Sequence, residues 1–130
     1  MVKKKKLKKK LLPAFKDKRG EIIDIIDNEK INSVTIITFS KGAIRGNHYH
    51  KKTIQWNYVL DGEVIYYSET KKKKSRVTLR AGDLSVSYPF QKHAFKSLTN
   101  SRVLVLTKGP RAGQNYEIDT FRLIKNPLTK

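Results

Sequence analysis

Short runs rich in β-branched and aromatic residues recur along this chain between turn signals, and no stretch sustains a 3.6-residue apolar period. The runs are "SVTIITF" (33–39), "QWNYVL" (55–60), "EVIYYS" (63–68), "RVTL" (76–79), "LSVSYP" (84–89) and "RVLVLT" (102–107). Each has the length of a strand rather than of an ordinary helix. Asp61-Gly62 predicts a tight hairpin joining the second and third runs. Lys71 to Lys74 predicts a hairpin tip, Ala81 to Asp83 a turn, and Gly109-Pro110 the end of the last run. "EIIDIID" (21–27) reads as an edge strand. Many short, evenly spaced strands predict an all-β sandwich or small barrel. The 130 residues suit one domain, expected over 13–130 behind a basic, flexible N-terminal arm at 1–12.

Charge and cysteine content narrow the function classes. The formal net charge is +18, and seven lysines among the first ten residues supply much of it. Such charge attracts nucleic acid, anionic membrane or phosphorylated ligands. Neither lysine run is interleaved with aromatics or set in a nucleic-acid motif, so a solvated tail is the simpler reading. With no cysteine, disulfides and thiolate metal sites are excluded and a reducing compartment fits. No apolar run approaches a membrane span, and the basic N-terminus lacks the apolar stretch of a signal peptide. A cytoplasmic location is expected.

The chain has three histidines, and two of them stand as His48-x-His50. On a strand, residues i and i+2 share a face, so both rings aim the same way while Tyr49 aims opposite. The same alternation puts Gln55, Asn57 and Val59 on one face, expected to line a cavity. Trp56, Tyr58 and Leu60 take the other face, expected to pack outside, against a second subunit in a homodimer. His93 follows Pro89, just past a predicted strand.

Written out, the spacing is Gly42, five residues, His48-x-His50, four residues, Gln55, six residues, Gly62. Later come Gly82, six residues, Pro89, three residues, His93. This resembles the two motifs of the cupin superfamily, with Gln55 where many cupins carry a glutamate. The second motif lacks its usual glycine after the proline, and its proline-to-histidine gap is shorter. "FKDKRGEIIDI" (15–25) is similar to the opening of the nucleotide-sugar isomerase and epimerase cupins. "RGNHYHKK" (45–52) with Gln55 resembles a segment of the dTDP-4-keto-6-deoxyhexose 3,4-ketoisomerases. "RGNHYH" (45–50) also resembles the cupin domain of bacterial capsule-sugar enzymes that epimerise UDP-linked ketosugars and bind zinc, which carry a glutamate near the Gln55 position. The similarity spans about residues 15–107; the tail from Gly109 to Leu123 does not look like the ketoisomerase ending.

The resemblance implies an all-β, jelly-roll-like cupin barrel. It implies an isomerase or epimerase acting on a nucleoside-diphosphate 4-keto-6-deoxyhexose by histidine acid–base chemistry, with no cofactor required. His48 is then the expected base, His50 its partner or proton donor, and His93 a secondary participant. Arg45 suits the diphosphate, with Lys51 a weaker candidate. Gln55 and Asn57 could donate to an enolate from their amides. In a second reading, His48, His50, Gln55 and His93 hold a divalent metal (Zn, Fe, Mn or Ni) in a cupin acting on another small molecule. Gln55 would leave that ion without an anionic protein ligand. A third reading is a non-catalytic small-molecule-binding module.

Overall fold

The computed structural model describes residues 7–71, 73–111 and 117–129. It is all-β. Twelve strands run in order: β1 (Lys9–Lys10), β2 (Phe15–Asp17), β3 (Gly20–Ile22), β4 (Ser33–Phe39), β5 (Ile44–Tyr49), β6 (Ile54–Asp61), β7 (Glu63–Glu69), β8 (Lys74–Arg80), β9 (Asp83–Ser87), β10 (Lys92–Ser97), β11 (Ser101–Lys108) and β12 (Phe121–Arg122). One five-stranded sheet has the order β1-β9-β6-β11-β4 and the other β12-β5-β10-β7-β8; β2 and β3 form a separate ribbon. All pairings are antiparallel. The expected all-β, jelly-roll-like barrel is what the chain forms.

Alternation supplies the core. Phe39, Val59, Val64, Tyr66, Leu79, Phe95, Val103 and Val105 pack together as one buried cluster drawn from both sheets. Val59 lies on the face of β6 shared with Gln55 and Asn57, all three buried, so the inward face has the composition expected of it. β4 is an edge strand, and its outward Val34 and Ile36 remain 63% and 57% exposed.

The structure corrects several expectations. Asp61-Gly62 is not a hairpin turn: β6 pairs with β9 and β11, whereas β7 pairs with β8 and β10. Gly62 instead turns a corner between the sheets. Its φ is +86°, and a Cβ there would stand 2.7 Å from the Asn100 carbonyl oxygen, so the corner needs glycine. The lysine tip is found where expected, with the Thr70 and Lys73 backbones bonding each other between β7 and β8. Of "EIIDIID", only the first two residues belong to a strand, in the ribbon. The arm is not free to residue 12. Lys9 and Lys10 pair with β9, and Lys8 and Lys10 donate to the Thr78 and Ala81 carbonyls. Lys3 to Lys6 lie outside the described residues.

Candidate active site

The first sheet contributes Gln55 and Asn57 from β6, and the second contributes His48 from β5 and His93 from β10. His48 and His93 are direct cross-strand partners. Between this pair and the next, Ala94 with Gly46, the register slips by one residue at Asn47. Gly46 (φ +92°) and Asn47 (φ +55°) take up the bulge. A Cβ on Gly46 would stand 2.9 Å from Ala94 Cα and 3.0 Å from the His93 carbonyl oxygen. The slip has a geometric effect. In unbroken alternation Arg45 and His48 would face opposite sides; with one extra residue between them, both face the cavity.

The three imidazoles converge. Ring centroids are 4.6 Å apart for His48–His93, 4.7 Å for His48–His50 and 5.1 Å for His50–His93. All three are buried. His50 Nδ1 lies 2.6 Å from the Asp119 carbonyl oxygen, and His93 Nδ1 lies 3.2 Å from that of Gln91. A carbonyl only accepts, so in both rings Nδ1 carries the hydrogen and Nε2 keeps its lone pair. Both Nε2 atoms are buried with no hydrogen-bond partner. Beside them opens a cavity of about 310 Å³, lined by Arg45, His48, Gln55, Asn57, His93 and Arg111 together with residues of β4 and β10.

Burial dominates the electrostatics. It drives His48 down to about 3, with His50, Arg111 and Arg122 adding repulsion. It lowers His50 against the opposing help of the Asp119 carbonyl and carboxylate. His93 is held well below the usual imidazole range by burial, then by His48 and His50. His48 is therefore held far below the near-neutral titration expected of an acid–base histidine. All three rings are neutral at pH 7.

Of the residues singled out from sequence, His48, His50 and His93 come together, and Arg45, Gln55 and Asn57 line the cavity beside them. Lys51 does not. Its ammonium sits over the Phe121 ring, 4.4 Å from the centroid. Nor is Asn57 placed to donate: its amide nitrogen is committed to Ser85 and Ser87 at 3.3 and 3.2 Å, and the group left over is its carbonyl oxygen.

Two residues went unrecognised in the sequence, both in the tail. Asp119 is 4% exposed, and its carboxylate accepts from Lys51 N, Lys52 N and Thr53 Oγ1 at 2.8–2.9 Å. Burial alone would raise its pKa; those donors outweigh it and hold the carboxyl below the usual range. Arg111 is 7% exposed and lines the cavity. The tail itself is pinned to the back of the site. β12 pairs with β5, Phe121 stacks on Tyr49 at 5.3 Å, and Asn47 bonds Leu123 N, Leu128 N and Thr129 Oγ1. An arginine after a Gly-Pro stop and an aspartate in an irregular tail carry no local pattern; only long-range packing gives them a role.

A β-sandwich enclosing a cavity lined by His48 and His93, with no Asp or Glu among the described lining residues, is a jelly roll of the cupin type. Residues 15–107 match the polysaccharide biosynthesis C-terminal domain family, and the chain belongs to that family. No curated protein matches the sequence. Among solved structures, the chain is similar to a sugar 3,4-ketoisomerase from Thermoanaerobacterium thermosaccharolyticum in complex with TDP. That match has a TM-score of 0.74 at 23% identity and covers 90% of this chain and 87% of that one. A 3,4-ketoisomerase from Helicobacter canadensis matches with a TM-score of 0.74 at 19% identity over 89% and 90% of the two chains. A dTDP-4-dehydrorhamnose 3,5-epimerase from Sulfolobus tokodaii matches at 0.63 and 18%, over 82% and 70%. At these identities the likeness establishes the shared fold.

Proposed function

We propose that the protein is an isomerase or epimerase of a nucleoside-diphosphate-linked 4-keto-6-deoxy sugar. The observation that carries this reading is the meeting of three buried imidazoles beside a cavity of sugar-accommodating size that His48, His93 and arginine line and that, among the described residues, no carboxylate lines. The similar folds support it: a sugar 3,4-ketoisomerase in complex with TDP, a second 3,4-ketoisomerase and a dTDP-4-dehydrorhamnose 3,5-epimerase.

The chemistry requires a neutral base beside the ring carbon next to the ketone. A neutral His48 fills that role. The carbon–hydrogen bond breaks, its electron pair forms the carbon–carbon double bond, and the ketone's π pair moves onto oxygen as an enolate; the proton goes to His48. Reprotonation of the same carbon from the opposite face gives the epimer. In the isomerisation, the neighbouring hydroxyl gives up its proton, carbon 4 and oxygen 4 each gain one, and the carbonyl ends at carbon 3. His50 and His93 relay these protons, and the coupled cluster titrates as a unit. Arg45, at the exposed end of the cavity, holds the diphosphate.

A second reading concerns a divalent ion. The donor nitrogens of His48, His50 and His93 all lie within 4.8 Å of one another, and the Nε2 atoms of His50 and His93 have no hydrogen-bond partner. Three neutral imidazoles with Gln55 nearby suit zinc by donor type. His48, His50 and His93 would hold the ion, which would supply Lewis-acid stabilisation to a ligand oxygen.

NMR of the product formed from TDP- or UDP-linked 4-keto-6-deoxyglucose tests the first reading. The expected result is a 3-keto or C3-inverted sugar, lost in His48→Ala; no turnover and no binding of either nucleotide would remove it. Elemental analysis of fresh protein tests the second, with one equivalent of metal expected and its loss expected in His48→Ala. Full activity in metal-free protein would reject a metal requirement.

A further inference from the structure

Asparagine is rare on the buried face of a strand, yet β6 carries Asn57 there, 1% exposed, between Gln55 and Val59. Cross-strand register sets Asn57 in one row with Ser85 of β9 on one side and Val105 of β11, then Thr35 of β4, on the other. The amide nitrogen is turned to the β9 side. It lies 3.3 and 3.2 Å from the Ser85 and Ser87 hydroxyl oxygens and 3.5 Å from the Ser85 carbonyl oxygen. A carbonyl only accepts, so nitrogen and not oxygen belongs on that side. Ser87 is held in turn by the buried Tyr66 hydroxyl at 2.7 Å, which fixes the arrangement. Oδ1 therefore points away from β9, toward Val105 and Thr35, which line the cavity together with Asn57. It is buried and has no hydrogen-bond partner among the described residues. Val105 is apolar, and Thr35 stands two strands away, about 9–10 Å at the usual spacing and beyond bonding reach.

We infer that Asn57 Oδ1 accepts a hydrogen bond from a ring hydroxyl of the bound sugar and so selects hydroxylated over deoxygenated sugars. The inference rests on the proposed isomerase or epimerase reading and names the residue that reads its sugar. A buried acceptor is costly to leave unpaired, so an amide kept here in place of an apolar side chain of similar size calls for a donor from the cavity side. His93 Nε2, on the facing sheet, is likewise a buried acceptor with no partner, and His93 lines the same cavity. A sugar ring supplies donors of the matching kind. In a 4-keto-6-deoxyhexose joined through carbon 1, only carbons 2 and 3 carry a hydroxyl. A site built around such an acceptor rejects the analogue that lacks the hydroxyl far more strongly than an apolar wall rejects a change of size.

The test measures binding of TDP and of TDP-6-deoxyglucose, which has no ketone and does not turn over, to the native protein and to Asn57→Leu. The variant should bind TDP-6-deoxyglucose about tenfold or more weakly, while the Kd for TDP stays within about threefold. Equal losses for both ligands, as a merely structural asparagine would give, or no loss for either, would overturn the assignment. The 2-deoxy and 3-deoxy analogues of TDP-6-deoxyglucose cover the case in which the leucine variant fails to fold. One of them should bind the native protein about tenfold or more weakly than the parent, and in a folded Asn57→Leu that deficit should vanish. Parent-like affinity for both analogues, or a deficit that persists in the variant, rejects the contact. A last arm needs no nucleotide: methyl α-glucopyranoside is added to the native protein and the Asn57 side-chain ¹⁵N resonance is followed. Displacement supports the hydroxyl contact; an unmoved resonance rejects it. If the native protein binds neither TDP nor TDP-6-deoxyglucose, the isomerase or epimerase reading fails by itself, and the glucoside arm alone decides for or against Asn57.

Discussion

An imidazole in water titrates near neutrality, yet His48 is driven to about 3 by burial first and then by His50 and Arg111. His50 and His93 move in the same direction. Because the folded-state values lie below the unfolded ones, the unfolded chain takes up protons first as pH falls. The stability these rings contribute is complete above about pH 6.5 and is lost progressively toward pH 3. Urea denaturation should therefore show stability falling by about 2 kcal/mol or more between pH 6.5 and 4.5, above the range where most carboxylates titrate. His48→Gln should flatten that slope; an unchanged slope would show that these rings do not titrate as their burial requires. Asp119 makes a second prediction at this scale. Its carboxylate takes three donors while its carbonyl orients His50. Asp119→Ala should cost about 1–3 kcal/mol in denaturation, since a buried hydroxyl and two part-buried N–H groups lose their partner. It should also weaken ligand binding through the loosened His50 ring. Native stability in that variant would mean the clamp is redundant.

At the scale of elements, the site depends on one irregularity. The bulge at Gly46 and Asn47 turns Arg45 to the same side as His48, and Asn47 uses its outward side chain to hold the tail. Gly46→Ala should destabilise the protein by about 2 kcal/mol or more, through positive φ and the contact with Ala94. Retained TDP affinity in a folded Gly46→Ala variant would show that the bulge does not aim Arg45. The face alternation of β5 and β6 was legible in the sequence, because a period of two is written into the residues themselves. His48, His50, Gln55, Asn57 and Val59 all point where that period sends them. The Asp61-Gly62 hairpin was misread because a turn dipeptide reports a local reversal, not which sheet receives the next strand. β10 was not foreseen either: "KHAFKS" lacks a long β-branched run and is held as a strand by its neighbours β5 and β7.

For the whole molecule, an all-β sandwich or small barrel followed from many short strands with no helical period, and the jelly-roll class was what the resemblance in motif spacing implied. The tail's part in the site was not legible, because Asp119 reaches His50 from 69 residues away in sequence, and Arg111 joins the cavity lining from beyond the last long strand. Charge and apolar surface bear on assembly. A chain of net charge +18 repels its own copy except across an uncharged face. β4 offers such a face, an edge strand with Val34 and Ile36 exposed, Ile36 at the margin of the cavity. We expect a homodimer through this edge. Light scattering should give twice the chain mass for the native protein and the single mass for Ile36→Lys; a native monomer at working concentration would reject the dimer.

The measurement that bears most directly on the site is deuterium incorporation, followed by NMR, when the protein is mixed in D₂O with a TDP- or UDP-linked 4-keto-6-deoxy sugar. Solvent deuterium should appear on the ring carbon beside the ketone and disappear from the reaction with His48→Asn. A native protein that binds the nucleotide sugar yet leaves that carbon fully protiated would contradict the assignment of His48 as the base.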